Sequence, residues 1–357
     1  MDESGLFFKD TTRKTFHIKG QDCAGGKRSK ERITIALCAS MTGEKLQPLV
    51  IGKCRKPRCF QKLDPKTLPV IYRFNKKAWM TSAIYEEWLK LLNKQMTRQN
   101  RKILLFVDNA PSHPALTLSN ITVKFFPPNT TSKTQPMDQG IIQTVKLKFR
   151  KRQMIHMVKE MERQPDVSGP DLLKQINILD AIYWLSSSWK ETEASTIEKC
   201  FLKAGFISDT SQELTQELHA ESCDDLDDDD IPLAVLKLSM DLFGCEFNEL
   251  KEIDETLATC DNAEIDWTKP AHDLLSDINE QGETDDESEE EDMILSQFPN
   301  NKELLDCVNK IKTFSVHRGC SKLLKNVFQM EELISCLIVQ KERQSSITDF
   351  FTPRGSV

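Results

Sequence analysis

The stretch Ile103-Leu-Leu-Phe-Val-Asp-Asn-Ala-Pro-Ser-His113 decides how this chain folds. Five consecutive apolar residues end in Asp108, and so continuous a run predicts a strand covered on both faces. Pro111 and Ser112 suit the start of a helix directly after it. Working outward, residues 82–96 place Ile84, Trp88, Leu91 and Leu92 on one helical face, and residues 121–126 form the next strand. Upstream, the apolar runs 33–39 and 48–52 are joined by Thr42-Gly43-Glu-Lys, a hairpin signal, and 68–74 is a further strand. Downstream, the proline-bounded stretch 127–136 reads as irregular, because its prolines lack ladder donors. A long helix follows over 139–162, with Ile142, Val145 and Phe149 toward the core. Asp171 N-caps a helix running through Trp184, and a helix over 192–204 is closed by Gly205. Strands, then alternation, then a helical close predict an α/β domain with a mixed sheet flanked by helices.

Asp108 is one of three aspartates in marked settings. Asp2 stands in Met1-Asp-Glu-Ser-Gly-Leu-Phe-Phe8, and Asp138 in Gln135-Pro-Met-Asp-Gln-Gly-Ile-Ile142. Carboxylates at strand ends and helix starts, distant in sequence, can converge on one place. Two Mg²⁺ ions about 4 Å apart need such a cluster for in-line attack at a phosphodiester. Mg²⁺ takes carboxylate oxygens, waters and substrate phosphate, and it relieves the mutual repulsion of the carboxylates. Glu3, Asn109 and Gln139 flank the aspartates, placed either to orient ligands and waters or only to satisfy local backbone. His113 is a phosphate contact or a structural hydrogen-bonding histidine.

These three motifs resemble those of the Tigger/pogo group of the Tc1/mariner transposase superfamily, relatives of the jerky proteins and centromere protein B. The resemblance rests on Asp2 to Phe7, Asp108 to His113 and Gln135 to Gly140, with the last two aspartates 30 positions apart. It covers roughly residues 1–207. It implies an RNase H-like fold and a DDD triad in which Asp2, Asp108 and Asp138 are both catalytic residues and ligands of Mg²⁺ (or Mn²⁺). It also implies ancestral DNA cleavage and strand transfer. In the family the first aspartate lies within its strand, whereas Asp2 follows Met1 here, so this DDE/DDD domain is expected to be N-terminally truncated. The family's paired N-terminal helix-turn-helix domains have no counterpart pattern in the chain. Two readings follow: a metal-dependent DNA endonuclease or transposase, which the intact triad favours, and a non-catalytic nuclear adaptor, which the departures favour.

Charge divides the chain. The formal net charge of −7 hides +17 over residues 1–207 and −24 over 208–357. A basic half suits a polyanion such as DNA. Lys146, Lys148, Arg150, Lys151 and Arg152 follow Asp138 on the long helix and form the expected DNA-binding face. Lys27, Arg28, Lys30 and Arg32 make a short basic cluster that suits nuclear import. Residues 208–293 read as an acidic, mostly disordered linker in which 231–238 and 248–257 are candidate short helices: 223–230 hold six aspartates, and 283–292 hold eight acidic residues. Residues 294–340 read as a helical segment and a possible seat of self-association. In the tail, 341–357, Gln344, Ile347, Phe350 and Phe351 match a sliding-clamp-binding box and imply proliferating cell nuclear antigen as a partner. Paired aromatics near a terminus mark an interaction site. No apolar run reaches membrane-spanning length, and the eleven cysteines fall without zinc-site spacing.

Overall fold

Alternation along short strands builds two apolar layers, one on each side of a sheet. The structure, a computed structural model, describes residues 1–9, 31–128, 130–164, 167, 169–206, 231–243, 245–254, 259 and 301–341. Strand β1 (Asp2–Phe7) pairs antiparallel with β2 (Arg32–Leu37), with Asp2 opposite Leu37. β2 pairs antiparallel with β3 (Leu49–Gly52), the expected hairpin, and β3 runs parallel to β4 (Ile71–Phe74). Successive side chains point to opposite faces of a strand. Ile33, Ile35 and Leu37 therefore enter one core, while Ala36 and Cys38 enter the other.

Helix α1 (Ser82–Arg98) covers the second face with Tyr85, Trp88, Leu89, Leu92 and Met96. The Thr81 hydroxyl caps it by accepting from the Ile84 N–H. Against α1 lie the parallel strands β5 (Ile103–Val107) and β6 (Ile121–Phe125). The Met1 nitrogen donates to the Phe106 carbonyl at 3.0 Å, which sets the start of β1 beside the end of β5. The other face is covered by α3 (Ile141–Arg163) and α5 (Ile178–Glu191), preceded by the one-turn α2 (Thr131–Thr134) and by α4 (Gly169–Gln175), and followed by α6 (Ala194–Lys203). This is the mixed α/β arrangement expected. Among the described residues no helix is long and apolar enough to cross a membrane.

Several local expectations are corrected. β5 is not covered on both faces, since Leu104 is 53% exposed. No helix follows Pro111: the chain makes a turn there, and the His113 side chain turns inward. The proline-rich stretch 127–136 does contain the turn α2, because its prolines flank the turn rather than interrupt it. The helix expected from Asp171 through Trp184 is two. Asn177 starts α5 with a capping box, accepting from the Leu179 and Asp180 N–H groups while the Asp180 carboxylate accepts from the Asn177 N–H.

The largest correction concerns the acidic linker. Residues 231–254 form α7 (Leu233–Phe243) and a 3₁₀ helix (Phe247–Asp254), and Val235, Leu238, Phe247 and Leu250 are buried in the α3-side core. The segment ends in a clamp. Asp254 accepts from the Phe7 N–H with Oδ1 and from Arg150 with Oδ2, both at 2.8 Å. Arg150 also donates to Gln153 Oε1 at 2.7 Å, and Gln153 Nε2 donates to the Phe8 carbonyl at 3.0 Å. The Arg150 and Asp254 side chains are both fully buried. The acidic runs 223–230 and 283–292 lie outside the described residues.

Arg150 is thus an internal tie, not part of a DNA-facing stripe. Lys146 is buried as well, Lys148 and Lys151 are half-buried, and Arg152 pairs with Glu191 at 2.8 Å and Glu332 at 2.7 Å. α3 runs through the centre of the helical layer, so neighbouring helices cover most of its circumference. Two of those neighbours come from the expected tail segment. α8 (Asn301–Arg318) and α9 (Ser321–Lys341) turn at Gly319 (φ +69°) and dock on α3 and α5. Lys312 reaches Asp180 at 2.7 Å and Glu331 at 3.5 Å, and lies 4.2 Å from the Phe328 ring centre. The Phe328 ring stacks on Tyr183 with centres 4.0 Å apart. Burial alone would lower the Lys312 pKa, but Asp180 and Glu331 carry it well above the usual lysine range. The clamp-binding box lies outside the described residues.

Removing one partner of a buried ion pair leaves the other charge unpaired and costs about 3–5 kcal/mol. Asp254→Ala should lower the unfolding free energy in urea by that amount. A loss under about 1 kcal/mol would show that the clamp does not hold β1 to α3.

Candidate metal centre

Alternation along β1 separates its two acidic residues. Leu6 and Phe8 pack in the α3-side core and Met1 in the α1-side core, so Asp2 faces α3 and Glu3 faces α1. Asp108 follows the last residue of β5. Asp138 sits in the 3₁₀ turn Pro136–Gln139 that leads into α3. The junction is Gly140 at φ +137°, a conformation that a side chain would strain, and it lets the turn enter α3 at a sharp angle.

The three aspartates share one electrostatic environment. Burial, then the charges of Asp138, Glu3 and Asp108, push the Asp2 carboxyl well above its ordinary pKa. Asp138 faces solvent, but the protein wall behind it desolvates the carboxylate, and with the Asp108 charge this raises its pKa. A hydrogen bond with Asp2 and the Lys146 charge pull the other way. Burial and crowded like charge thus raise the pKa of both carboxyls of the Asp2–Asp138 pair.

On the α1 side, His113 is the organising group. Its Nε2 lies 2.9 Å from Glu3 Oε1 and its Nδ1 lies 2.6 Å from Asp108 Oδ1. Its ring is buried and packs on Tyr85 with centres 4.5 Å apart. Burial alone would lower its pKa, but polar contact and charge from Asp108 and Glu3 push it up to about 10. His113 is then an imidazolium at neutral pH, with both nitrogens donors. Ligand atoms of Glu3, Asp108 and His113 lie within 4.8 Å of one another, but here both ring nitrogens of His113 are already engaged by the two carboxylates. The group acts instead as a brace that fixes the Asp108 carboxylate.

The three residues flanking the aspartates divide. Glu3 is braced by His113, and Asn109 is exposed beside Asp108. Gln139 is turned away: its side chain donates to the Ser132 carbonyl at 2.7 Å, and its own carbonyl accepts from Cys200 Sγ at 3.6 Å and Lys203 at 3.4 Å. It ties α6 and α2 to the turn that carries Asp138. Tyr85 leaves no mark in the sequence; for His113 the structural hydrogen-bonding reading agrees with the geometry, and only its contact with Glu3 could not be read from the chain. The remaining donor set fits a hard divalent cation. It holds carboxylates that raise one another's pKa, and Asp108 Oδ1 is buried without a well-aligned hydrogen bond, because the His113 ring N–H meets it off-line.

Residues 30–201 match the DDE superfamily endonuclease family. Over 342 residues, 94% of this chain, the sequence is 34% identical to Tigger transposable element-derived protein 4 of Mus musculus. The chain belongs to the Tigger/pogo branch of the DDE superfamily. It is also 32% identical over 220 residues (58% of the chain) to CENP-B homolog protein 2 of Schizosaccharomyces pombe. With human major centromere autoantigen B the identity is 32% over 205 residues (56% of the chain). It spans 64% of the length of the mouse relative, 41% of the yeast one and 32% of the human one. No solved structure matches it. The family implies an RNase H-like fold, and the layered sheet described above agrees with that. DDE superfamily endonucleases use divalent metal.

If the carboxylates hold a metal, Mn²⁺ should raise the thermal unfolding temperature of the chain, and a ligand at a hundred times its Kd adds about 2.7 kcal/mol. Asp108→Asn should lose that response, and without metal it should be the less stable protein because the buried His113 loses one of its two carboxylate partners. Equal curves for both proteins, with and without Mn²⁺, would rule out a metal site at these residues.

Proposed function

We propose that this chain is a nuclear DNA-binding protein, derived from a transposase, whose Asp2, Asp108 and Asp138 hold Mg²⁺ or Mn²⁺ against a DNA phosphodiester. The reading is supported by the placement of the three aspartates at the start of β1, just after β5 and in the turn before α3, near enough for their charges to act on one another. The endonuclease family match supports phosphodiester chemistry, and relatives named for the centromere support a nuclear location. When bound, the metal would supply Lewis acidity for attack by water or a 3′-hydroxyl. The chain's own groups do the positioning. His113 and Glu3 fix Asp108 from the α1 side. Gly140 and Gln139 fix the turn carrying Asp138, and Lys146 places a positive charge close to it, where a phosphate oxygen would lie.

A non-catalytic adaptor is the second reading, favoured by one observation: the Asp2 and Asp138 carboxyls act directly on each other, an arrangement that a shared proton would hold without metal. Supercoiled plasmid incubated with Mn²⁺ separates the two. Nicking by the wild type that Asp138→Asn abolishes supports cleavage. DNA binding with no nicking leaves the adaptor, and no DNA binding at all refutes both.

The adaptor reading includes the sliding clamp. Lys341 ends α9, three residues before Gln344, so the box follows directly on a helix docked to the body. Binding of the full chain to immobilised proliferating cell nuclear antigen should be lost in the double variant Phe350→Ala/Phe351→Ala, because aromatic anchors dominate such interfaces. Unchanged binding would remove the box from the account.

A further inference from the structure

We propose that a groove between the β2–β3 hairpin, α5 and the start of α9 carries a second stretch of DNA backbone, reached from the metal centre along a trail of lysines on four different elements. The inference rests on the DNA-binding reading and locates a contact that the family match does not assign.

The groove encloses about 580 Å³ and shares no residue with the aspartate cluster. Lys190 on α5 and Lys322 and Lys325 on α9 line it, and all three are exposed. No aspartate or glutamate is among its described lining residues. Its walls include Pro48, Pro69 and the buried Tyr183 and Trp189, which hold its shape. Lysine ammoniums bind phosphate as mobile point charges, and a groove of one sign concentrates its field on a polyanion. A flexible acidic peptide offers the same charge, but its carboxylates are not spaced by a stiff backbone. Duplex DNA presents phosphates on a regular track that three fixed lysines and the trail behind them can follow.

The trail begins at the metal centre. Lys146 stands on α3 eight residues after Asp138 and is itself buried, so it offers no free contact. Two residues further along α3, Lys148 bears on Lys45 of the hairpin, whose pKa falls through burial and then through the Lys148 charge. Lys45 donates to the carbonyls of Trp189, Lys190 and Thr192 at 3.0, 2.7 and 2.6 Å, so it marks the path rather than offering a free contact. Lys190 stands beside that cap and opens the groove. The phosphate contacts are thus those of Lys190, Lys322 and Lys325, and the lysines of α3 and the hairpin only mark the direction of the metal centre. The basic character legible in the sequence along one helix is spread in space across α3, the hairpin, α5 and α9.

The test is the salt dependence of metal-free binding to a 30-base-pair duplex of arbitrary sequence. Each phosphate contact adds about 0.9 to the slope of log K against log salt concentration. The triple variant Lys190→Gln/Lys322→Gln/Lys325→Gln, all at exposed positions, should reduce the slope by about 2.7 relative to wild type. The exposed triple Lys53→Gln/Lys94→Gln/Lys102→Gln serves as control and should leave the slope nearly unchanged. Equal slopes for the groove variant and wild type would overturn the groove while leaving DNA binding in place. Equal reductions in both triples would reduce it to net charge, which also overturns it. Selective loss of polyglutamate binding, with DNA binding intact, would assign the groove to an acidic peptide instead. A wild type that binds no duplex at low salt sinks both this proposal and the DNA-binding reading.

Discussion

The ion pair between Arg150 and Asp254 is the constraint on which the remaining geometry rests. Both charges are out of water, so each needs the other and the neutral groups around them. One carboxylate oxygen holds the β1 backbone at Phe7, and the other holds α3. β1 carries Asp2, and α3 follows directly on the turn that carries Asp138. The distance between two members of the aspartate cluster is therefore governed by a residue 116 positions beyond the nearer one. Interiors are close-packed and bistable rather than soft, so an error at this clamp would be transmitted to the carboxylates rather than absorbed.

Around the carboxylates two opposite electrostatic devices face each other across β1. On the α3 side, crowding drives Asp2 toward its protonated form. On the α1 side, the His113 imidazolium keeps company with two carboxylates and holds Asp108 in place. Period-2 alternation is enough to create this division, because it sends Asp2 and Glu3 to opposite faces. A cation bound between the aspartates would relieve their mutual repulsion on one flank and meet a fixed ligand on the other, which is the preorganisation that metal-assisted chemistry requires.

Much of this is legible in the residues. The apolar run before Asp108, the hairpin around Gly43 and the long helix after Asp138 all form, within a few residues of the expected limits. Expectation and structure part where tertiary partners override local pattern. Arg150 looks like part of a basic face, because nothing in its neighbourhood reveals a buried carboxylate more than a hundred residues away. Residues 231–254 look like linker, because the aspartate-rich run before them dominates the composition. The apolar residues Val235, Leu238, Phe247 and Leu250 are the signal that outweighs it. The setting of His113 in sequence fits a phosphate contact and a structural role alike, and only the folded chain brings Glu3 to its second nitrogen.

The docking of α7 and its 3₁₀ helix against α3 and β1 has a topological consequence. The segment 231–254 sits in the core as a plug, held by its own apolar residues and by the two oxygens of Asp254. In such an arrangement covalent continuity and structural continuity are separate properties. A chain severed between Phe206 and Ile231 would keep its two parts together by burial, by the Asp254 ties and by the docking of α8 and α9, in the manner of a split protein whose fragments reassemble. The packed body thus continues past the point where the acidic composition begins.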